Sequence, residues 1–176
     1  MAYNIADLFE HTVDAVPDRT DLICGDTRLT FAELDERANR FGHFLQSRGV
    51  RPGDHVGIYA VNSEPWVTAM LGCVKIRAVP VNVNYRYVEA ELAYLIGNAD
   101  LVACVFDQEY APRLAAVAAD APKLRTLVHI ADGSGADTSA LGSTDFDDAC
   151  AEGSPERDFE DRSDDDVYII YTGGTT

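Results

Sequence analysis

Residues 55–84 read HVGIYAVNSEPWVTAMLGCVKIRAVPVNVN, and this stretch contains the order strand, helix, strand. HVGIYA is a short apolar run typical of a buried strand. Asn62 and Ser63 then lead into a helix that has Pro65 in its first turn, where proline is well tolerated. AVPVNVN follows as a second extended segment. Two strands joined through a helix predict a parallel pair, because parallel strands need a long crossover connection.

The N-terminal third adds two helices and a hairpin. Asn4 can cap a first helix that Pro17 closes, and DLICGDTRLTF (21–31) predicts two short strands around a Gly-Asp turn. Thr30 and Glu33 have the spacing of a capping box, in which each side chain accepts from a backbone N–H of the other residue. They open a second amphipathic helix that Gly49 is placed to end in a left-handed conformation.

The same alternation continues towards the C-terminus. YVEAELAYLIGNAD (87–100) predicts a helix with Val88, Leu92, Leu95 and Ile96 facing inwards, and EYAPRLAAVAADAP (109–122) predicts another. LVACVF (101–106), LRTLVHI (124–130) and VYIIY (167–171) read as strands. We therefore predict an α/β fold, a mostly parallel sheet flanked by helices on both faces, in a single unit over residues 1–176.

Acidic charge is concentrated in one part of the sequence. Between Asp132 and Asp166 there are thirteen acidic residues against two arginines, so −11 of the net −16 lies there. Such a surface repels the phosphates of nucleic acids and anionic lipids, so neither is an expected partner. We interpret residues 131–166 as a solvated connecting stretch, with one short helix near Phe146. Asp147–Asp148 and Asp164–Asp165–Asp166 are likewise interpreted as solvated charge.

Cysteine spacing and the N-terminus indicate a cytoplasmic protein. The four cysteines show no metal-ligand spacing, and we expect reduced thiols: Cys24, Cys73, Cys104 and Cys150. Asp7 and Glu10 lie where a signal peptide would need a basic and then an apolar segment. There is no apolar run of transmembrane length.

The glycine-threonine segment after VYIIY is the candidate binding site. Glycines let backbone N–H groups approach an anion, and threonine hydroxyls can donate to phosphate oxygens. The segment lacks the spacing of a Walker A motif, and a turn of this composition is also typical of a surface loop. We predict no catalytic residue and no metal ligand in this sequence. The candidate phosphate-binding residues are Thr172, Gly173, Gly174, Thr175 and Thr176.

Three blocks, in this order, resemble the AMP-forming acyl-CoA synthetases of the adenylate-forming superfamily. LTFAELDERANRFGHFLQSRGVRPGDHVGIYAVNS (29–63) is similar to the first conserved block of that family, and AMLGCVKIRAVPVNVNYR (69–86) to the second. YTGGTT (171–176) is similar to the opening of its phosphate loop. The sequence departs from the family at Arg77, where a glycine is usual, and at Gly173, where serine or threonine is usual.

The resemblance implies the N-terminal part of the large domain, with the C-terminal lid domain and its catalytic lysine outside this chain. It implies a two-step reaction. A carboxylate attacks ATP to give an acyl-adenylate and pyrophosphate, and CoA then forms the thioester. ATP, Mg²⁺ and CoA are the implied cofactors. A long-chain fatty acid or a steroid side-chain carboxylate is the implied substrate, and we expect the chain alone to be inactive.

Two other functions stay open from the sequence. The chain could be a self-contained, non-catalytic α/β module that binds a nucleotide or a protein. It could also belong to an adenylating ligase that loads a carrier protein instead of CoA. We further expect apolar surface that the missing part would cover, and hence self-association, so a homo-oligomer is an open expectation.

Overall fold

The computed structural model describes residues 4–171. The helices are α1 (Ile5–Ala15), α2 (Phe31–Ser47), α3 (Glu64–Lys75), α4 (Glu89–Asn98), α5 (Ala111–Ala118) and α6 (Phe146–Glu152), with short 3₁₀ turns at Gln108–Tyr110 and Ser139–Leu141. The strands are β1 (Thr20–Cys24), β2 (Thr27–Thr30), β3 (His55–Tyr59), β4 (Val79–Asn82), β5 (Ala103–Asp107), β6 (Thr126–Ile130), β7 (Thr144–Asp145) and β8 (Ile169–Ile170).

Six of these strands form one parallel sheet in the order β7-β6-β5-β3-β4-β8. β1 and β2 make a separate antiparallel hairpin, as DLICGDTRLTF predicts. Its turn contains Gly25 in the left-handed conformation, with φ of 59°. β8 is shorter than the predicted strand 167–171.

Helices cover both faces of the sheet, which confirms the predicted fold class. Val56 and Ile58 of β3 pack towards α2, α3 and α6. Tyr59, which points to the opposite face, packs with side chains of α4 and α5. Side chains alternate between the two faces along a strand, so one strand of this kind contributes to both cores.

Two glycines bring α2 and α3 close together. A Cβ atom built on Gly72 would lie 3.1 Å from the carbonyl oxygen of Ala38 and 3.0 Å from the ring of Phe41. One built on Gly42 would lie 3.2 Å from the carbonyl oxygen of Gly72. The absence of side chains at both positions therefore sets the distance between the two helices.

The helix starts predicted at Asn4 and Thr30 are confirmed. Asn4 and Asp7 form a capping box at α1, and Thr30 and Glu33 form one at α2. Gly49 follows α2 in the left-handed conformation, with φ of 80°.

The inward position predicted for Val88 is wrong. This residue stands at the N-cap of α4, before the first helical turn, and its side chain is 45% exposed. The backbone there is extended, so the side chain does not follow the helical stripe. The rest of the predicted inward face is buried, namely Leu92, Leu95 and Ile96.

The acidic stretch is more than a solvated connection. It contributes β7 at the edge of the sheet and α6, whose Phe146 stacks on Phe41 with ring centroids 4.8 Å apart. The interpretation of solvated charge is wrong for Asp166. Its carboxylate accepts from Arg77, from the amide of Asn4 and from the backbone N–H of Ser163. Asp164 and Asp165 are exposed.

A buried ionic cluster connects three helices with the segment that follows α6. The Lys75 ammonium at the end of α3 is fully buried and contacts the carboxylates of Glu10 on α1 and Asp35 on α2. The Arg162 guanidinium binds Glu10 as well, and that of Arg157 binds Asp35 at 2.7 Å. Burial opposes ionisation of Glu10, but the hydrogen bonds from Arg162 and Lys75 hold its pKa below the usual range.

The cysteines are free thiols, as predicted. Cys73, Cys104 and Cys150 are buried, and Cys24 is partly exposed. Burial raises the pKa of the three buried thiols, which disfavours the reactive thiolate.

The two lysines of this chain provide a matched test of the cluster. Lys75→Met keeps the volume but leaves two carboxylates short of a partner, so we expect a loss of about 3 kcal/mol in the free energy of unfolding. Lys123 pairs with Asp100 at the surface, with 63% of its side chain exposed. Lys123→Met should cost less than about 1 kcal/mol. Urea unfolding followed by circular dichroism measures both, and equal losses would contradict the role assigned to the cluster.

Candidate functional site

The carboxyl ends of the parallel strands meet at one edge of the sheet. β3 ends at Tyr59, β4 at Asn82, β5 at Asp107 and β6 at Ile130. Ligands of doubly wound sheets bind outside this edge, because the loops that follow the strands surround an open crevice there. We call this region the carboxyl edge.

The candidate residues Thr172, Gly173, Gly174, Thr175 and Thr176 lie outside the described residues, so their role in phosphate binding stays a prediction. What the structure describes is the strand that leads to them. Because β8 runs parallel to β4, Tyr171 leaves the sheet at the carboxyl edge. Its hydroxyl donates to Oδ1 of Asn98, the last residue of α4, at 2.6 Å.

A crevice of about 500 Å³ opens at the carboxyl edge where the connections diverge. α3 follows β3 on one face of the sheet and α5 follows β5 on the other, which makes this the topological switch point. Polar and charged side chains that line it are Thr27, Arg37, Ser63, Glu64, Asp107, Glu109, Asp132 and Asp147. Arg37 binds two of the carboxylates, those of Glu64 and Asp147, at 2.9 Å each.

Asp107 is the most perturbed carboxylate of this crevice. It is buried and accepts a hydrogen bond from the N–H of Val61 at 2.8 Å. Burial raises its pKa to about 6, and the nearby charges of Asp132 and Glu109 act in the same direction against the effect of the Val61 N–H. The sequence interpretation missed Asp107, although an acidic residue directly after the buried run LVACVF was a visible signal.

Tyr59 and Tyr110 form a second polar feature of this edge. Their rings lie 4.8 Å apart, and the Tyr59 hydroxyl donates to the carbonyl oxygen of Tyr87 at 2.6 Å. Arg113 donates weakly to the same hydroxyl at 3.4 Å. Burial raises the pKa of both phenols, so they remain neutral hydrogen-bonding groups. Through its bond to Tyr87, Tyr59 anchors the loop after β4.

Ser143, His129 and Asp145 lie within reach of one another beside β6. Nδ1 of His129 is 3.0 Å from the Ser143 hydroxyl, and its Nε2 is 3.6 Å from the Asp145 carboxylate. Asp145 also caps α6 by accepting from the N–H groups of Asp147 and Asp148. The trio therefore joins β6, β7 and α6, and we interpret it as structural.

Within residues 4–171, His, Cys, Asp and Glu side chains nowhere group in threes in a way that could hold a metal ion. In that same range, none of the helices combines the length and the apolar character needed to cross a bilayer.

A family model described as "AMP-binding enzyme" matches residues 9–176. The chain belongs to this family. The resemblance to adenylate-forming enzymes is thereby confirmed, and the parallel sheet with helices on both faces agrees with it. The match includes the residues that lead into YTGGTT as well as the two blocks upstream.

Two named relatives of this chain are CoA ligases. It is 51% identical over 176 residues to the 3-oxocholest-4-en-26-oate–CoA ligase of Rhodococcus rhodochrous. It is 53% identical over 176 residues to a medium/long-chain-fatty-acid–CoA/3-oxocholest-4-en-26-oate–CoA ligase of Mycobacterium tuberculosis. Each match covers 100% of this chain and 32% of the relative, so the chain spans about a third of their length.

A solved structure supports the same placement. The crystal structure of an anthranilate CoA ligase in complex with anthranoyl-AMP superimposes with a TM-score of 0.90 at 27% sequence identity. The superposition covers 99% of this chain and 33% of that one. The fold described above is therefore that of the corresponding portion of a CoA ligase.

The raised pKa of Asp107 predicts a stability that depends on pH. Between the ordinary value of 3.8 and about 6, the folded chain binds a proton that the unfolded chain has lost. Stability from this group is therefore lost as the pH rises through about 6. Asp107→Asn keeps an acceptor for Val61 but carries no charge. We expect this variant to exceed the wild type by about 3 kcal/mol near pH 7.5, and to match it closely only near pH 3.5, below both pKa values.

Urea unfolding at the two pH values measures this difference. Asp120→Asn, at an exposed position, is the control and should change little at either pH. An Asp107→Asn effect of the same size at both pH values would contradict the proposed titration.

Proposed function

We propose that this chain is the N-terminal part of the large domain of an AMP-forming acyl-CoA ligase. The complete enzyme would convert a carboxylate, ATP and CoA into acyl-CoA, AMP and pyrophosphate through an acyl-adenylate. The observation that carries the proposal is identity above 50% over the whole chain to two ligases of this kind. The lid domain and the catalytic lysine would lie outside residues 1–176.

The TGGTT segment would hold the phosphates of ATP. Gly173 and Gly174 expose backbone N–H groups, while the threonines supply hydroxyl donors, so the loop can offset the charge that develops on the departing pyrophosphate. The position of Tyr171 at the carboxyl edge supports this role, because a segment following it begins where ligands of such sheets bind. Mg²⁺ would accompany ATP, and we assign no described residue to it.

The acyl substrate would be a medium- or long-chain fatty acid or the side-chain carboxylate of a 3-oxo steroid. The names of the two relatives support both classes. The acyl pocket would lie outside this chain, so the residues 4–171 would contribute to nucleotide binding and to the stability of the large domain. By itself the chain would therefore be inactive as a ligase.

A second candidate is an adenylating ligase that transfers the acyl group to a carrier protein. Adenylate formation is common to both functions, so only the acceptor separates them. The named relatives favour CoA.

Pyrophosphate release tests the proposal. The protein encoded by the complete reading frame should release pyrophosphate with ATP and either a long-chain fatty acid or 3-oxocholest-4-en-26-oate, and should form the thioester when CoA is added. Failure to release pyrophosphate with both acids would overturn the proposed function. Release that is followed by transfer to a carrier protein but not to CoA would favour the second candidate.

Substitution of one loop threonine tests the role of TGGTT. We expect Thr176→Val to lower kcat/KM for ATP by about a hundredfold, because a positioned donor to the leaving phosphate is lost. Thr12→Val on α1 is the control, since that hydroxyl donates to the carbonyl oxygen of Leu8 at a site remote from the carboxyl edge. Equal rates for the two variants would argue against the loop assignment.

A further inference from the structure

β8 carries the chain to the candidate phosphate loop, yet its own pairing is slight. It joins β4 through two residue pairs, Val81 with Ile169 and Asn82 with Ile170. Among the described residues few side chains cover it: Val167, Tyr168 and Ile170 are more than half exposed, and only Ile169 of the strand packs against the core formed with α4 and α5. A pairing this short needs support from neighbouring groups.

An ion pair supplies that support directly before the two strands. Nε of Arg77 lies 3.1 Å and 3.2 Å from the two carboxylate oxygens of Asp166. Arg77 precedes β4 and Asp166 precedes β8, so the pair joins the two strands at their amino ends. Asp166 has 16% of its side chain exposed and also accepts from Asn4. Several donors therefore fix this carboxylate in place.

The backbone of Arg77 adopts a conformation that is unfavourable for a residue with a side chain. Its φ is 60°, the left-handed region in which a side chain costs roughly 1 kcal/mol relative to glycine. Its carbonyl oxygen accepts from the N–H of Gly53 at 2.8 Å, which ties this turn to the neighbouring loop. A glycine would satisfy the turn without strain, so an arginine adds the ion pair with Asp166 and a weaker bond from its Nη1 to the carbonyl oxygen of Asp161 at 3.4 Å.

We propose that Arg77 and Asp166 are positioning residues for the candidate phosphate loop. Their ion pair sets the register of β8 on β4, and thereby the point at which the loop starts at Thr172. This inference rests on the proposed function. At the other end of the strand, Tyr171 is held through Asn98. β8 is thus fixed before and after its two paired residues, and a shift at either end moves the loop relative to the carboxyl edge.

Asp100 and Lys123 form a matched control pair. Asp100 also has a left-handed backbone, with φ of 51°, and it precedes β5, while Lys123 precedes β6. Their ion pair of 2.9 Å joins the amino ends of two parallel strands in the same way. Neither strand leads to the TGGTT segment, so loss of this pair should leave the loop in place.

The test uses the protein encoded by the complete reading frame and two measurements. Arg77→Gln and Asp166→Asn should each raise KM for ATP about fivefold and leave the KM of the fatty acid nearly unchanged. The double variant should be no worse than either single one, and Arg77→Lys should restore most of the affinity. Lys123→Gln should leave KM for ATP unchanged. Hydrogen exchange of a peptide covering residues 167–171 should accelerate in the Arg77→Gln variant but not in the control.

Each outcome of these measurements either supports or overturns the positioning role. Equal rises in KM for ATP in the Arg77→Gln and Lys123→Gln variants would reduce the effect to general stability and overturn it. Faster exchange with an unchanged KM for ATP would overturn the positioning role. An inactive wild type would overturn the proposed function. Hydrogen exchange of residues 167–171 would then test the ion pair alone. Faster exchange in the Arg77→Gln variant would support its role in the register of β8, and unchanged exchange would overturn that role.

Discussion

The buried ammonium group of Lys75 determines how helices pack on the side of the molecule away from the proposed site. Lys75 is fully buried, and a buried charge is tolerated only when carboxylates surround it. Glu10 and Asp35 meet that requirement from two different helices, and each is shared with an arginine of the segment after α6. The buried Lys75 ammonium needs these carboxylate partners, and this requirement fixes the arrangement of α1, α2, α3 and the acidic stretch.

The buried ionic contacts and the candidate site lie at opposite ends of the parallel strands. α3 runs back from the carboxyl edge, since it connects two parallel strands, and so its last residue Lys75 and the turn at Arg77 lie at the amino edge. The ionic cluster and the Arg77–Asp166 pair therefore act at one end of the sheet. The crevice around Asp107 and the end of β8 at Tyr171 are at the other end. Loops at the carboxyl edge can vary while the amino edge keeps the sheet together.

Local signals accounted for most of the secondary structure. Capping boxes at Asn4 and Thr30 and the glycine at 49 act within a few residues, so they are readable from sequence. The inward position predicted for Val88 was wrong because helical periodicity was extended across the residue at which the helix begins. The interpretation of Asp166 as solvated charge was wrong for a different reason. Its partners Arg77 and Asn4 are distant in sequence, and only folding brings them together.

The sequence by itself determined the order of strands and helices, and hence a parallel sheet with two covered faces, because apolar periodicity and capping are local. Its three blocks also sufficed to indicate the family. Only the tertiary structure decided which charges are solvated and which are buried. It alone brought Asp107 to the crevice and Asp166 to Arg77. The physical reason is that a charge takes its energy from groups around it in space, which the linear spacing of residues does not specify.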